Sequence, residues 1–226
     1  MPAPGMEHTL NITRWKSGPQ LALGLAAVLV ALSAIAIGYM LTRNDEQPAR
    51  YMGAITTSPI EMPGEVLTDQ NGAAYDLRKE TDGYVTLLYV GYTHCPDICP
   101  THLAEIAAAL RDLPESVTQQ VKVVFITADP ERDSSDVLKR YLKLFNPTFI
   151  GLTGTREQTD AVQADLGIPV ADRTDLGDGN YTVNHAAYII AFAKDQAAEL
   201  FYPAGMGQKE LVNDLPLMIK NQGLNQ

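Results

Sequence analysis

Cysteine is almost absent, with two in 226 residues. That is too few for a disulfide scaffold or a four-thiolate zinc site, so whatever the two cysteines do they do as a pair. Basic residues are also scarce, 17 Lys plus Arg against 27 Asp plus Glu, for a formal charge of −10. Nucleic-acid binders usually carry the opposite sign clustered on one face, which excludes that class. There is no internal repeat and no low-complexity block. Charged residues make up 19% and hydrophobic ones 46%, the balance of a chain that buries a core and is not disordered throughout.

One long apolar run is present, LALGLAAVLVALSAIAIGYML over 21–41. As a helix it reaches about 31 Å, close to the roughly 30 Å of membrane hydrocarbon. A signal-peptide core is shorter, about 7–15 residues. The Ala34-Ile35-Ala36 triplet resembles a cleavage site but lies inside the run. An uncleaved anchor is therefore expected, ahead of a cleaved signal or a buried helix. Arg14 and Lys16 precede it and Arg43 and Arg50 follow it, so the basic flanks do not orient it. A short inside tail and a large outside domain is the simpler arrangement. The tail lacks the Arg- and Ser-rich character of an organelle transit peptide, which points to a single-pass bacterial inner-membrane protein with its soluble domain in the periplasm. The expected division is a cytoplasmic tail over 1–20, the anchor over 21–41, a polar linker with Pro48 and Pro59 over 42–60, and one domain over 61–226. Beyond residue 43 the charge is −12, which suits a cationic partner or cation capture, and equally a solvated acidic surface.

Within the domain, 65–67 and 74–77 flank Asn71-Gly72 as a short hairpin. The segment 84–92, YVTLLYVGY, is a near-continuous apolar run of strand length, the mark of a strand buried on both faces. A helix over 99–113 and a second buried strand over 121–128 follow. Helices are expected over 134–145, 155–166 and 208–220, with strands over 149–152, 185–192 and 199–202. An acidic stretch, ADRTDLGDGN, is expected as a mobile, solvated loop before His185. Its Asp172, Asp175 and Asp178 lack the alternating spacing of a calcium loop. Strands alternating with helices give an α/β layered fold.

The chemistry sits in Gly91-Tyr92-Thr93-His94-Cys95-Pro96-Asp97-Ile98-Cys99-Pro100. It leaves a buried strand and opens a helix, with Pro100 suited to the first helical position and Cys99 at or beside the N-cap. Free N–H groups and the positive helix end favour thiolate over thiol. Such a turn serves thiol–disulfide exchange or metal binding. Two thiolates do not complete a zinc site, whereas two thiolates and an imidazole suit copper, soft sulfur for Cu(I) and added nitrogen for Cu(II). Of four histidines, His8 lies before the apolar run and His94 adjoins Cys95, pointing away from a shared metal. His102, three residues after Cys99, and His185, at a strand start, both remain candidates. Asp129 and Asp133 read as turn and N-cap residues, or as support for the cysteine loop. No residues that would activate a peroxide are identifiable around Cys95, which disfavours a peroxidase.

The segment 91–100 closely resembles the signature of the Sco/SenC family of copper-binding, thioredoxin-like proteins. Thr127-Ala128-Asp129-Pro130-Glu131-Arg132-Asp133 is similar to the family's Asp-Pro-x-Arg-Asp element, and Val183-Asn184-His185 to its histidine element. The hairpin at 69–72 and the single N-terminal anchor look like it too, and the match runs from about residue 60 to the C-terminus. The resemblance implies a thioredoxin-like fold, a central mixed sheet flanked by helices with an N-terminal hairpin extension. It also implies a copper site of Cys95, Cys99 and His185. The family's task is assembly of the dinuclear copper centre of cytochrome c oxidase subunit II, as copper donor, thiol reductase of that centre's cysteines, or both. An upstream copper donor or thiol reductant would be a further partner, and a copper or redox sensor would use the same residues. Any enzymatic activity would be thiol–disulfide exchange by Cys95 and Cys99. Where the family typically has Asp before the ligand histidine this chain has Asn184, expected to adjust the site as an outer partner. A weak secondary site at His102 is the other expectation.

Overall fold

The computed structural model describes residues 29–35, 37 and 50–221. Residues 29–35 and 37 are helical and exposed. Among the described residues no helix is long and apolar enough to cross a membrane. Most of the expected anchor, and the whole of the 1–20 tail, lie outside them.

Residues 50–221 form one compact unit. It is built on an eight-stranded sheet of order β1-β10-β9-β4-β5-β6-β2-β3. The strands are β1 (Ala54–Glu61), β2 (Val66–Asp69), β3 (Ala74–Asp76), β4 (Val85–Gly91), β5 (Val121–Thr127), β6 (Ile150–Thr153), β9 (Tyr188–Phe192) and β10 (Ala197–Pro203). β4, β5 and β6 run parallel, and the remaining pairings are antiparallel. The sheet is thus mixed, as expected. A separate two-stranded hairpin, β7 (Asp172–Gly177) with β8 (Asn180–Asn184), stands apart from it. The helices are α1 (Leu77–Thr81), α2 (Ile98–Asp112), α3 (Glu115–Thr118), α4 (Ser135–Lys143), α5 (Arg156–Asp165) and α6 (Gln208–Asn221).

All seven residues of β4 are buried, which is why its sequence shows no alternation: a central strand covered on both faces has no polar side. α2 packs against α6, and α4 against β6. In the parallel β4–β5 pair Gly91 lies beside Thr127. The loops leaving these two strands, one carrying the cysteines and the other the Asp129–Asp133 element, therefore start as neighbours.

Three sequence expectations are corrected. Residues 54–60, read as the end of the linker, belong to β1. Among the described residues this strand pairs only with β10; it has a register shift between Ile55 and Ile60 and includes Pro59, and an edge strand tolerates a residue that cannot donate to a ladder. The acidic stretch before His185 is the β7–β8 hairpin. Its turn passes through Gly177, Asp178 and Gly179 at φ 86°, 54° and 74°, a left-handed path that glycine allows and Asp tolerates. Every residue of β7 is exposed, so no apolar alternation marked it as a strand. Finally, His185 does not open a strand: β8 ends at Asn184 and β9 begins at Tyr188, and His185 lies in the short connection between them.

Candidate metal centre

Cys95 and Cys99 sit just beyond the carboxyl end of β4, where open α/β sheets place their sites. α2 begins at Ile98, with Asp97 as N-cap and no side-chain capping bond. Cys99 is thus the second helical residue and Pro100 the third, two positions further into the helix than expected for Pro100. Pro100 still lies in the first turn, where a missing N–H breaks no helical bond. The Cys95 amide donates to the Tyr92 carbonyl at 3.2 Å, closing the loop that turns back to the helix.

Cys99 is fully buried and Cys95 half-buried, and neither is in a disulfide. The side-chain donor atoms of Cys95, Cys99 and His185 all lie within 4.8 Å of one another. The His185 Nε2 atom is 3.4 Å from Cys99 Sγ, and its Nδ1 is 3.0 Å from the Ala186 carbonyl oxygen. A carbonyl only accepts, so Nδ1 carries a proton, and Nε2 is the ring atom turned toward the sulfurs and the one placed to serve as a metal ligand. Tyr92 and Tyr89 stand edge-on to the His185 ring at 5.5 and 6.3 Å, and the Tyr89 hydroxyl donates to Cys99 Sγ at 3.6 Å.

The two sulfurs share one proton. Cys95 is lowered to about 4, first by the hydrogen bond from Cys99, then by backbone N–H groups of Asp97 and Cys99 at the helix start, against the opposing effect of burial. Cys99 is pushed well above the usual thiol range, by its bond to Cys95 and by burial. Cys95 is therefore the thiolate and Cys99 the thiol at neutral pH. The first expected result is selective alkylation of the reduced, metal-free chain. Iodoacetamide should modify Cys95 at a rate nearly constant from pH 8 to about 5, where an ordinary thiol slows about tenfold per pH unit below its pKa of about 8.5. Cys99 should react only on unfolding. Peptide mapping by mass spectrometry distinguishes the two, and equal labelling of both would contradict the assignment.

Two other histidines are placed elsewhere. His94 is exposed and turns toward Thr93 Oγ1 at 3.1 Å and Asp133 at 3.8 Å. His102 is fully buried, edge-on to Tyr89 at 5.2 Å, with neither ring nitrogen hydrogen-bonded. Burial favours its neutral form, and it is outside the Cys95–Cys99–His185 group.

Asn184, expected beside the ligand histidine as an outer partner, is exposed and donates across the hairpin to Thr174 Oγ1 at 3.0 Å. The nearest partner of the His185 ring is instead the Ala186 backbone. Asp133 does not cap α4; Ser134 does, accepting from the Val137 amide at 3.4 Å. Both Asp129 and Asp133 are fully buried and point inward. Sequence reasoning missed Gly91 as a site residue. A Cβ there would lie 2.8 Å from Cys99 Sγ and 3.0 Å from the Phe125 and Tyr89 rings, so only glycine lets the sulfur approach the strand. Its place four residues before Cys95, at the end of a buried strand, was the available signal.

A family model described as SCO1/SenC matches residues 62–220. An SCO2-like protein of Rickettsia prowazekii is 32% identical over 209 residues, covering 92% of this chain and 97% of that one. Among solved structures, Bradyrhizobium japonicum ScoI with copper bound is 35% identical with a TM-score of 0.62, covering 73% of this chain and 99% of that one. Yeast Sco1 with copper bound is 25% identical with a TM-score of 0.64, covering 78% and 92%. The mixed sheet with its helices is a thioredoxin-like fold.

Proposed function

The chain belongs to the SCO1/SenC family, and from that premise we propose that it is a copper metallochaperone whose cargo is held by Cys95, Cys99 and His185. The observation that carries the reading is the convergence of two sulfurs and one imidazole nitrogen within 4.8 Å. Soft sulfur suits Cu(I), and the added nitrogen suits Cu(II). Relatives solved with copper bound support the same cargo. Cys95 and His185 are both partly accessible while Cys99 is buried. An acceptor thiolate therefore exchanges first with Cys95, and Cys99 lets go last.

The acceptor we assign is the dinuclear copper centre of cytochrome c oxidase subunit II, reached from a domain tethered by the apolar run over 21–41 to the bacterial inner membrane and facing the periplasm. An upstream copper donor loads the site. One observation favours a second reading, thiol–disulfide reductase. The Cys95 thiolate is the nucleophile that attacks an acceptor disulfide, and Cys99 then resolves the mixed disulfide. This oxidises the Cys95–Cys99 dithiol to a disulfide and reduces the acceptor disulfide to two thiols. A sensor role would use the same residues without delivery.

The test is to mix the Cu(I)-loaded reduced chain with the metal-free, reduced copper domain of subunit II and separate the two. Copper found on the acceptor in about one-to-one exchange, with none delivered from a Cys99→Ser chain that does not retain Cu(I), is the expected result. Copper left on the chain, together with reduction of an oxidised acceptor by the metal-free protein, would replace the chaperone reading with the reductase.

A further inference from the structure

His185 does not belong to the main sheet. It follows a two-stranded hairpin that no strand of that sheet pairs with, so something other than a β-ladder must fix its position over the cysteines. The contacts that do so converge on one five-residue element, Asp129-Pro130-Glu131-Arg132-Asp133.

Its first carboxylate faces the hairpin. Asp129 accepts from the Tyr181 hydroxyl at 2.8 Å and from Arg173 Nη2 at 3.3 Å, and forms an ion pair with Arg132. Arg132 in turn donates to the Tyr181 carbonyl at 3.1 Å and lies 3.6 Å over the Tyr181 ring. Glu131 pairs with Arg173 and, at 2.6 Å, with Arg156. Tyr181 and Arg173 both belong to the hairpin, and Tyr181 stands four residues before His185.

Its last carboxylate faces the cysteine loop. Asp133 accepts from the Thr93 amide at 2.9 Å, from the Thr93 hydroxyl at 2.5 Å and from the Thr127 hydroxyl at 2.7 Å. Thr93 stands two residues before Cys95. A third tie joins the two sides directly, between the Tyr92 and Thr182 hydroxyls at 3.0 Å.

We propose that residues 129–133 are a two-ended clamp that sets the position of His185 relative to the cysteine pair, Asp133 holding the cysteine loop and Asp129 the histidine hairpin. The clamp touches no donor atom; its members are positioning residues. It rests on the three-ligand copper reading above. Its consequence is selective. The two thiolates dominate Cu(I) binding, and the imidazole matters most for Cu(II). Loosening the hairpin therefore costs Cu(II) affinity and leaves Cu(I) largely in place.

The test uses Tyr181→Ala, which removes both the hydroxyl on Asp129 and the ring under Arg132 from a half-exposed position. Asp129→Asn is a poorer choice, because it leaves clustered guanidinium groups without their buried carboxylate. The expected result is Cu(II) binding weakened about 10–100-fold, the range for an outer partner of a ligand, with Cu(I) affinity changed less than about threefold. The nitrogen hyperfine pattern in the Cu(II) electron paramagnetic resonance spectrum should fade in parallel. A double-mutant cycle with His185→Ala separates positioning from general stability: Tyr181→Ala should have no further effect once His185 is gone. Should Tyr181→Ala fail to fold, Tyr181→Phe, which deletes only the hydroxyl, should shift Cu(II) affinity the same way by less. Equal losses with and without His185, or no loss from Tyr181→Ala while His185→Ala weakens Cu(II), would overturn the clamp and leave the three-ligand site standing. Indifference of Cu(II) binding to His185→Ala itself would overturn both.

Discussion

Replacing Cys99 with alanine should abolish Cu(I) retention by the reduced chain, a loss larger than the roughly 10–100-fold that follows removal of an outer partner. Cys99 is the fully buried member of the pair, and its sulfur is faced by Cys95, the Tyr92 backbone N–H, the Tyr89 hydroxyl and His185 Nε2. One thiolate and one imidazole do not hold Cu(I) against a competing chelator as two thiolates do. Cys99→Ser separates coordination from packing, since it keeps a polar group of similar size in the same place but offers hard oxygen where soft sulfur was. It should fold and still fail to retain Cu(I). The copper-to-protein ratio after gel filtration, measured beside the melting temperature of the metal-free chain, checks this. Stoichiometric copper on Cys99→Ser would place the metal elsewhere.

Gly91→Ala should damage the site almost as severely without touching a ligand. The added methyl would meet Cys99 Sγ at 2.8 Å on one side and the Phe125 and Tyr89 rings at 3.0 Å on the other. Both rings are fully buried in the core, so the cheapest relief is to push the sulfur and the start of α2 outward. Overpacking of this kind costs about 1–3 kcal/mol of stability. The copper loss should exceed what that destabilisation alone explains. Gly151→Ala is the control. Its methyl would crowd Leu142 at 2.6 Å and Leu138 at 3.1 Å, overpacking β6 against α4 away from the sulfurs. The two variants should melt similarly early, and only Gly91→Ala should lose copper. Parallel losses would mean that the copper site simply follows overall stability.

The parts of this fold that the sequence made legible are those whose signal is local. The run over 84–92 announced a buried central strand because all seven residues of β4 are covered, and the cysteine loop announced itself through its place between that strand and a helix. The histidine ligand did not: residue-level reading left His102 and His185 open, and the resemblance to a family separated them. In the structure the difference is one of long-range geometry. His102 is sealed beneath Tyr89, while the hairpin and the chain reversal after it bring His185 to a sulfur 86 positions away. The hairpin was illegible for a plain reason: a strand exposed on every residue, as β7 is, has no buried face to impress a period on the sequence. β1 was hidden by Pro59, which reads as a linker signal unless the strand is known to be an edge. Asp129 and Asp133 looked like turn residues because their partners are remote, with Thr93 40 positions and Tyr181 52 positions distant.

The most direct test of the three-ligand site is a Cu(I) titration of the reduced chain against a competing chelator, run beside His185→Ala. The expected result is one tightly held Cu(I) per chain, carried mainly by the two thiolates and weakened, not lost, when the imidazole is removed. No retention of copper, or retention indifferent to His185, would contradict a site built from Cys95, Cys99 and His185 and leave the cysteine pair to thiol–disulfide exchange.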